Sequence, residues 1–456
     1  MARLLKSIRQ LLGLSHASQP ATPISRYARS IDTDFSVFQE GDRVVVHGKP
    51  PLLTKPLQRG KKTDLRRGKL EHDKVIGRRV RDVVQARKGP EHRLTLPTLD
   101  EYVSMTPRLV TPIYGADASL IVSLLDIHVT QPCEGDDDQP PLEILESGTG
   151  HGSLTLHLSR AIQAANTLPP PIPAASQVKY LQGRPILPDE ARKDTAQPTT
   201  NATSGEEIDP IQKAWDAWRA QRKAIIHTVD VSPKFSAHAE TIVRDFRRGI
   251  YAGNVDFYVG HAENWIAEQI RQRTPAAAAF SLRRQPRNPD PFLSYAILDM
   301  PSANLRIPHV VPILRHNGIL AVFMPSVTQI GECVDLIRKQ KLPLVLEKAV
   351  ELGAGISSGR LWDIRHAVKK RADPSSWLAS ADAVAEGESE SDSETDAATE
   401  ESAGSSEAET LVEETQAQAK EPESVLVCRP KVGPRIVGGG FVGIWRKVED
   451  FSDNQL

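Results

Sequence analysis

The segment Ile144–Leu158, ILESGTGHGSLTLHL, constrains the fold more than any other part of the chain. An apolar run ends at Glu146, glycines follow at 148, 150 and 152, and a helix-forming run starts at Ser153. Glycine reaches backbone conformations closed to other residues and leaves no side chain between a ligand and the main chain. Apolar runs recur downstream, and the expected strands are Leu142–Glu146, Ile225–Val231, Val255–Val259, Tyr295–Asp299 and Gly318–Met324. Helical segments separate them. This alternation implies an α/β, Rossmann-like, mostly parallel sheet covered on both faces. Ligands on such sheets sit beyond the carboxyl ends of the strands.

The residues that end those strands are therefore the candidate site. The turn is GxGxG beside Glu146, without the Lys-Ser/Thr of a phosphate loop. An acid there disfavours a pyrophosphate and favours the amino and sulfonium groups of S-adenosylmethionine. Asp230 ends the second strand and can accept from both hydroxyls of a ribose. Asp299, in AILDMPS, ends the fourth strand and can accept from an exocyclic amino group. For each acid the alternative is a plain turn cap. His157, His261, His309 and His316 lack metal-ligand spacing, and no HExxH or GxSxG is present. No metal is expected. Cys133, Cys333 and Cys428 are too dispersed for a zinc cluster or a disulfide scaffold. No apolar stretch approaches the roughly 18 residues of a membrane-spanning helix.

Net charge is −1, but it is segregated. Residues 386–423 carry 14 acids against one lysine, which leaves +12 on the rest. Residues 55–81 carry 11 Lys/Arg against three acids, a pattern suited to a polyanion, with a solvated face as the alternative. Short apolar runs at 44–46, 69–77 and 83–85 predict a small basic β-domain over 36–95. Residues 97–130 read as mainly helical. Prolines from 169 to 198 and a Thr/Ser-rich stretch predict a disordered insertion over 163–210. The Ser/Glu/Asp/Ala-rich stretch 381–424 predicts an acidic disordered insertion, followed by final strands over 424–447 that form a hairpin. Residues 1–31 contain five basic residues, no acid and helically spaced leucines, as a mitochondrial presequence does.

With KLEHDKVIG (69–77), LPTLDEYV (96–103), TPIYGADASLIV (111–122), LESGTGHGSLTLHL (145–158), ILDMPS (297–302), PSVTQIGECVDLI (325–337) and RPKVGPRIVGGGF (429–441), the chain resembles the tRNA adenine-58 N1-methyltransferases. The resemblance covers about residues 36–162, 221–375 and 424–447, and is to a divergent, mitochondrial, fungal-type member. It implies a class I methyltransferase domain over 97–375 behind a small β-domain. It also implies S-adenosylmethionine as cofactor, and methylation of adenine N1 in RNA, foremost adenosine 58 of tRNA. Glu146, Gly148, Gly150, Gly152, Ser153, Asp230, His261 and Asp299 are the cofactor positions it implies. Asp299 and Tyr114 are its catalytic positions.

The basic-domain side chains Lys61, Lys62, Arg66, Arg67, Arg78 and Arg79 are the RNA-binding candidates. Implied partners are tRNA or mitochondrial rRNA, in a homotetramer or a heterotetramer with a non-catalytic paralogue, in the mitochondrial matrix or else the nucleus. Three positions depart from the family pattern. Val110-Thr111 replaces Thr-Gln, His261 replaces an acid after the third strand, and Asn304 replaces a tryptophan. With His261, the hydrogen bond to the cofactor adenine falls to Glu263 or to a backbone carbonyl. These departures motivate the alternative of an RNA-binding assembly subunit. A small-molecule methyltransferase is disfavoured, because small substrates need no basic domain.

Overall fold

The computed structural model describes residues 31–132, 139–184, 209–274, 289–353, 362–368, 424–430 and 439–449. They divide into two units, one from residues 1–358 with 436–456, the other from 359–435.

The first unit opens with the small β-domain. Strands β1 (Val45–Val46), β2 (Leu52–Leu53), β5 (Val83–Gln85) and β6 (Glu91–Thr95) form a sheet in the order β2-β1-β6-β5. Strands β3 (Lys62–Asp64) and β4 (Lys69–Glu71) pair separately. Phe38, Val44, Val46, Leu57, Leu70, Val75, Val84 and Leu94 fill the interior of one small core, while Leu52 and Val83 stay exposed.

Two helices follow, α1 (Leu99–Met105) and α2 (Gly115–Leu125). Helix α1 starts with a capping box, in which the Thr98 hydroxyl accepts from the Glu101 N–H and Glu101 accepts from the Thr98 N–H. The main sheet contains β7 (Leu142–Ser147), β8 (Lys179–Tyr180), β9 (Ala224–Asp230), β10 (Val255–Val259), β11 (Leu293–Leu298), β12 (Leu314–Met324), β13 (Leu344–Leu352) and β16 (Gly440–Lys447). Their order is β13-β16-β12-β11-β7-β9-β10-β8. Only β16 runs antiparallel, between β12 and β13. The five expected strands are all present, with ends displaced by a few residues. They read as apolar runs because helices cover both faces: α3 (Ser153–Ile162) and α5 (Pro233–Asp245) with α1 and α2 on one side, α6 (Ala262–Arg273) and α7 (Val327–Lys339) on the other. Ser232 caps α5, with Pro233 in its first turn.

Two expectations need correction. Residues 163–184 are folded, and so is helix α4 (Pro210–Arg219), so only 185–208 of the expected insertion lie outside the described residues. The prolines form a strap. Pro169 and Trp218 close over Gly253, where any Cβ would lie 2.4 Å from the indole. Trp218 also donates from Nε1 to Thr167 Oγ1 at 2.9 Å. Proline has no N–H to satisfy, so such a segment can bury its rings without joining a ladder. The expected final hairpin is also absent. Strand β15 (Ser424–Pro430) pairs with β14 (Trp362–Val368), antiparallel from Trp362↔Pro430 to Val368↔Ser424, within the second unit. Finally, Ile31 is buried and donates to the Pro169 carbonyl, while residues 1–30 of the expected presequence lie outside the described residues. So does the acidic stretch up to Ser424.

An arginine clamp fixes the β-domain to the main sheet. Arg248 donates to both oxygens of Asp42, at 2.8 and 2.9 Å, and to the carbonyls of Asp34 and Val37. Arg43 reaches Asp245 at 2.7 Å. Arg247 and Arg248 both lean on Phe35, and both have left-handed backbones, with φ of 48° and 58°. Such a conformation costs a non-glycine residue about 1–2 kcal/mol, which the clamp must offset. Breaking a buried pair leaves an uncompensated charge, here on Asp42, whose side chain is 2% exposed. Arg248→Ala is expected to lower unfolding stability by about 3 kcal/mol. Arg59→Ala, which breaks an exposed pair with Glu40, should leave it nearly unchanged; denaturant titration of both variants checks this.

Candidate active site

The site forms where β7, β9, β10 and β11 end together. Past the last ladder residues the backbones stay joined. The Gly148 N–H donates to the Val229 carbonyl at 2.8 Å, the Asp299 N–H to the Ser147 carbonyl at 2.8 Å, and the Gly260 N–H to the Asp230 carbonyl at 2.9 Å. This seam holds Asp230, Asp299 and the glycine turn at one rim.

The glycines are required by the geometry. Gly148 has φ 99°, and a Cβ on it would lie 1.9 Å from the Asp299 carbonyl oxygen. Gly150 has φ 51° and gives its N–H to Asp230 Oδ2 at 3.0 Å. Gly152 has φ 84° and lies against Ala239 of α5. Ser153 begins α3, and its hydroxyl donates to the Ile113 carbonyl, so it ties the turn to the segment before α2.

The three acids differ in environment. Asp230 accepts from the N–H groups of Gly150 and Ser232, the latter at 2.8 Å, so it caps a turn as well as facing the rim. Burial raises its pKa against those bonds. Glu146 is buried and accepts from Thr155 Oγ1 at 2.7 Å. Thr228 bonds it as well, and Thr228 shares a hydrogen bond with Thr149. Burial, then the charges of Asp299 and Asp230, push Glu146 up to about 8. Asp299 is partly open to solvent. Burial of its carboxyl group, then the charge of Asp230, raise it to about 7. Among the described residues, no side chain donates to the Asp299 carboxylate or pairs with it.

Tyr114 precedes α2, and its hydroxyl accepts from Arg108 at 3.1 Å, with the guanidinium 5.4 Å from the ring centroid. The segment carrying both residues packs on the turn, since a Cβ on Gly150 would touch Val110 at 3.6 Å. His261 leads into α6. Its Nδ1 is buried without a partner, as is Glu263 Oε2, while Glu263 Oε1 lies 3.0 Å from Arg306 as an ion pair without an aligned hydrogen bond. The three threonines around Glu146 carry no sequence signal. Nor does buried His151, which bonds Thr106 at 3.2 Å and which burial pulls down to about 4. Lys61, Lys62, Arg66, Arg67, Arg78 and Arg79 are all exposed on the β-domain, and none forms an ion pair among the described residues. No group able to hold a metal ion occurs among the described residues.

A parallel sheet with one antiparallel strand set second from its edge, and a glycine turn after its first strand, is the class I methyltransferase fold. No family model matches the chain. Over 96 residues it is 36% identical to the tRNA (adenine(58)-N(1))-methyltransferase TrmI of Thermus thermophilus, in two strains of that organism alike. That match takes in 21% of this chain and 33% of each relative, so the chain spans about a third of the length of the curated relatives it matches. Similar solved structures include a SAM-dependent O-methyltransferase of Thermotoga maritima, at 14% identity and TM-score 0.48 over 92% of this chain and 97% of that one. Another is the tRNA (m1A58) methyltransferase TrmI of Aquifex aeolicus, at 13% identity and TM-score 0.45 over 91% and 99%.

The acids give a signed pH dependence. A carboxyl whose pKa rises from 3.8 to about 7, as for Asp299, makes the folded state bind more protons than the unfolded one between those values. Stability is then greatest below the unfolded pKa and falls as pH rises through the folded one. Glu146, raised from 4.5 to about 8, extends the fall. The ligand-free protein is expected to melt lower at pH 8 than at pH 5.5. Asp299→Asn should narrow that difference by raising the melting temperature at pH 8. Equal melting temperatures for variant and wild type at both pH values would mean that Asp299 is unstrained.

Proposed function

We propose that the chain transfers a methyl group from S-adenosylmethionine to N1 of adenine in RNA, with adenosine 58 of tRNA as the substrate. The observation that carries this reading is the rim itself: an unpaired Asp299 carboxylate joined by backbone hydrogen bonds to the end of β7 and abutting the glycine turn. The residues fit the cofactor. Gly148 and Gly152 let the turn pack tightly, and Gly150 leaves main chain open, since a Cβ there would meet nothing nearer than Val110 at 3.6 Å. Among the described residues no cation pairs with Glu146 or Asp230, which would hold an amino group and ribose hydroxyls. The orphaned His261 Nδ1 and Glu263 Oε2 are free to meet a purine edge. When bound, S-adenosylmethionine supplies an electrophilic methyl group.

Adenine N1 carries an in-plane lone pair, so no general base is required of the chain. Its task is alignment and charge placement. Asp299 accepts from the exocyclic N6 and so fixes the base in its plane. As N1 alkylates, positive charge grows on the ring, and the carboxylate beside it gains in attraction, an interaction stronger in the transition state than before it. A bound cation also lowers the pKa of Asp299, which keeps it ionised when it is needed. The target base must leave its stack, at a cost of a few kcal/mol. The exposed lysines and arginines of the β-domain supply binding energy from phosphates to offset that cost.

Asp299→Ala is expected to slow single-turnover methylation of unmodified tRNA about 10²–10³-fold at cofactor concentrations shown by calorimetry to saturate the variant. A variant within threefold of wild type would reduce Asp299 to a turn residue. A wild type that binds both ligands without transfer would favour the assembly-subunit reading. Neutralising Lys61, Lys62, Arg66 and Arg67 should lower the slope of log affinity against log salt by roughly one for each phosphate that the variant no longer neutralises.

The proposed assembly is a tetramer, and the proposed compartment is the mitochondrial matrix. The basic, acid-free residues 1–31 support the latter. A fluorescent fusion of residues 1–40 should enter mitochondria, and a cytosolic fusion would remove the compartment from the proposal.

A further inference from the structure

The strap between α3 and α4 does more than cover the sheet edge. Strand β8 pairs in parallel with the carboxyl end of β10, Tyr258↔Lys179 and Val259↔Tyr180, and so delivers the chain to the rim at Gly260. Its course there is fixed. The Leu181 N–H donates to the Val259 carbonyl at 3.0 Å, and Leu181 is buried over Gly260, where a Cβ would lie 2.9 Å from it. Asn264 donates to the Gly183 carbonyl, and Arg271 donates to the Gln182 side chain at 2.9 Å.

On this rigid segment Tyr180 is 56% exposed, and it is the only aromatic among the exposed large hydrophobic residues of the described chain. The Arg184 guanidinium lies 4.7 Å from its ring centroid. A tyrosine held in water by ordered backbone on both sides loses little entropy when it stacks. Among the described residues, the solvent-facing side chains next to it in the chain are Lys179, Gln182 and the half-buried Arg184, while Leu181 points inward. The nearby acid Asp256 is already paired with Arg219 and Arg222. A protein partner would need an apolar surround to exclude water. A planar base next to a phosphate chain needs an aromatic face and flanking cations.

We propose that Tyr180 and Arg184 form a stacking platform for an unpaired nucleobase of the substrate RNA, at the β8 edge of the rim, four strands along from Asp299. This rests on the reading of the substrate as RNA. The separation from Asp299 is roughly 20 Å, a reach of several nucleotides, so the base it holds is a more distant unpaired one and not the target's own neighbour.

The test measures binding of an unmodified tRNA transcript to the full chain carrying Tyr180→Phe, Tyr180→Leu or Tyr180→Ala, with cofactor affinity and melting temperature alongside. The phenylalanine variant should match wild type within twofold. The leucine and alanine variants should each bind about tenfold more weakly, with cofactor affinity and melting temperature unchanged. The salt slope should stay the same for all three, because a stacked ring displaces no counterion. Leucine binding as well as phenylalanine would overturn the platform and leave the RNA reading intact. A loss that tracks a fall in melting temperature would overturn it too. A wild type that binds no RNA would overturn both.

Discussion

Gly148 and the carbonyl of Asp299 meet at a distance that admits no side chain. That approach lets β11 leave the sheet directly over the turn that follows β7, and the rest of the site is built outward from it. The Asp299 N–H can then bond the Ser147 carbonyl, and the Gly148 N–H can bond Val229 of β9. Three strand ends become one continuous backbone surface, and their carboxylates share it without needing any contact between side chains. A methyl group at position 148 would push the two strands apart and separate the acid from the turn. The tie from Gly150 to Asp230 would then have to stretch as well.

The electrostatics of the domain divide along the same line. Away from the rim, most buried acids meet arginines, Asp117 with the Gly353 N–H being the exception. Arg273 grips both oxygens of Glu143, Arg219 and Arg222 hold Asp256 so strongly that its pKa falls, and Arg244 reaches Glu240. At the rim, among the described residues, Glu146, Asp230 and Asp299 have only hydroxyls, backbone N–H groups and one another. Their pKa values rise where that of Asp256 falls. A protein stabilised for its own sake would place a guanidinium among them. Leaving them unpaired keeps room for a cationic ligand, and the stability forgone on folding returns when that ligand binds.

The legibility of the sequence follows the same physics. Gly148, Gly150 and Gly152 announce a turn because positive φ excludes most other residues. Asp230 and Asp299 stand out because a charge closing an apolar run must lie at a strand end. Both deductions are local. The features that sequence pattern misses are non-local. The strand 424–430 is visible as a strand, but alternation does not name a partner, and it joins β14 rather than β16. The proline-rich strap reads as unstructured because it lacks amide donors and periodicity. Its order depends on Trp218 and Gly253, which supply a surface that composition does not reveal. Tyr114 is found through family resemblance, yet its bond to Arg108 follows from a fold in the chain that no spacing encodes.

The antiparallel strand β16 lies between β12 and β13, although it comes after both in the chain. Ribosomes extend chains at about 5–20 residues per second, so for several seconds a nascent molecule has β12 and β13 with a vacant lane between them. Two exposed strand edges face each other across that gap, each able to pair with a stranger. Sheet closure is therefore a late event, set by the arrival of Gly440–Lys447 rather than by the speed of local folding. A chaperone that masks those edges during synthesis would govern the yield of folded protein. A message truncated before residue 440 would produce a chain whose glycine turn is complete but whose sheet can never close.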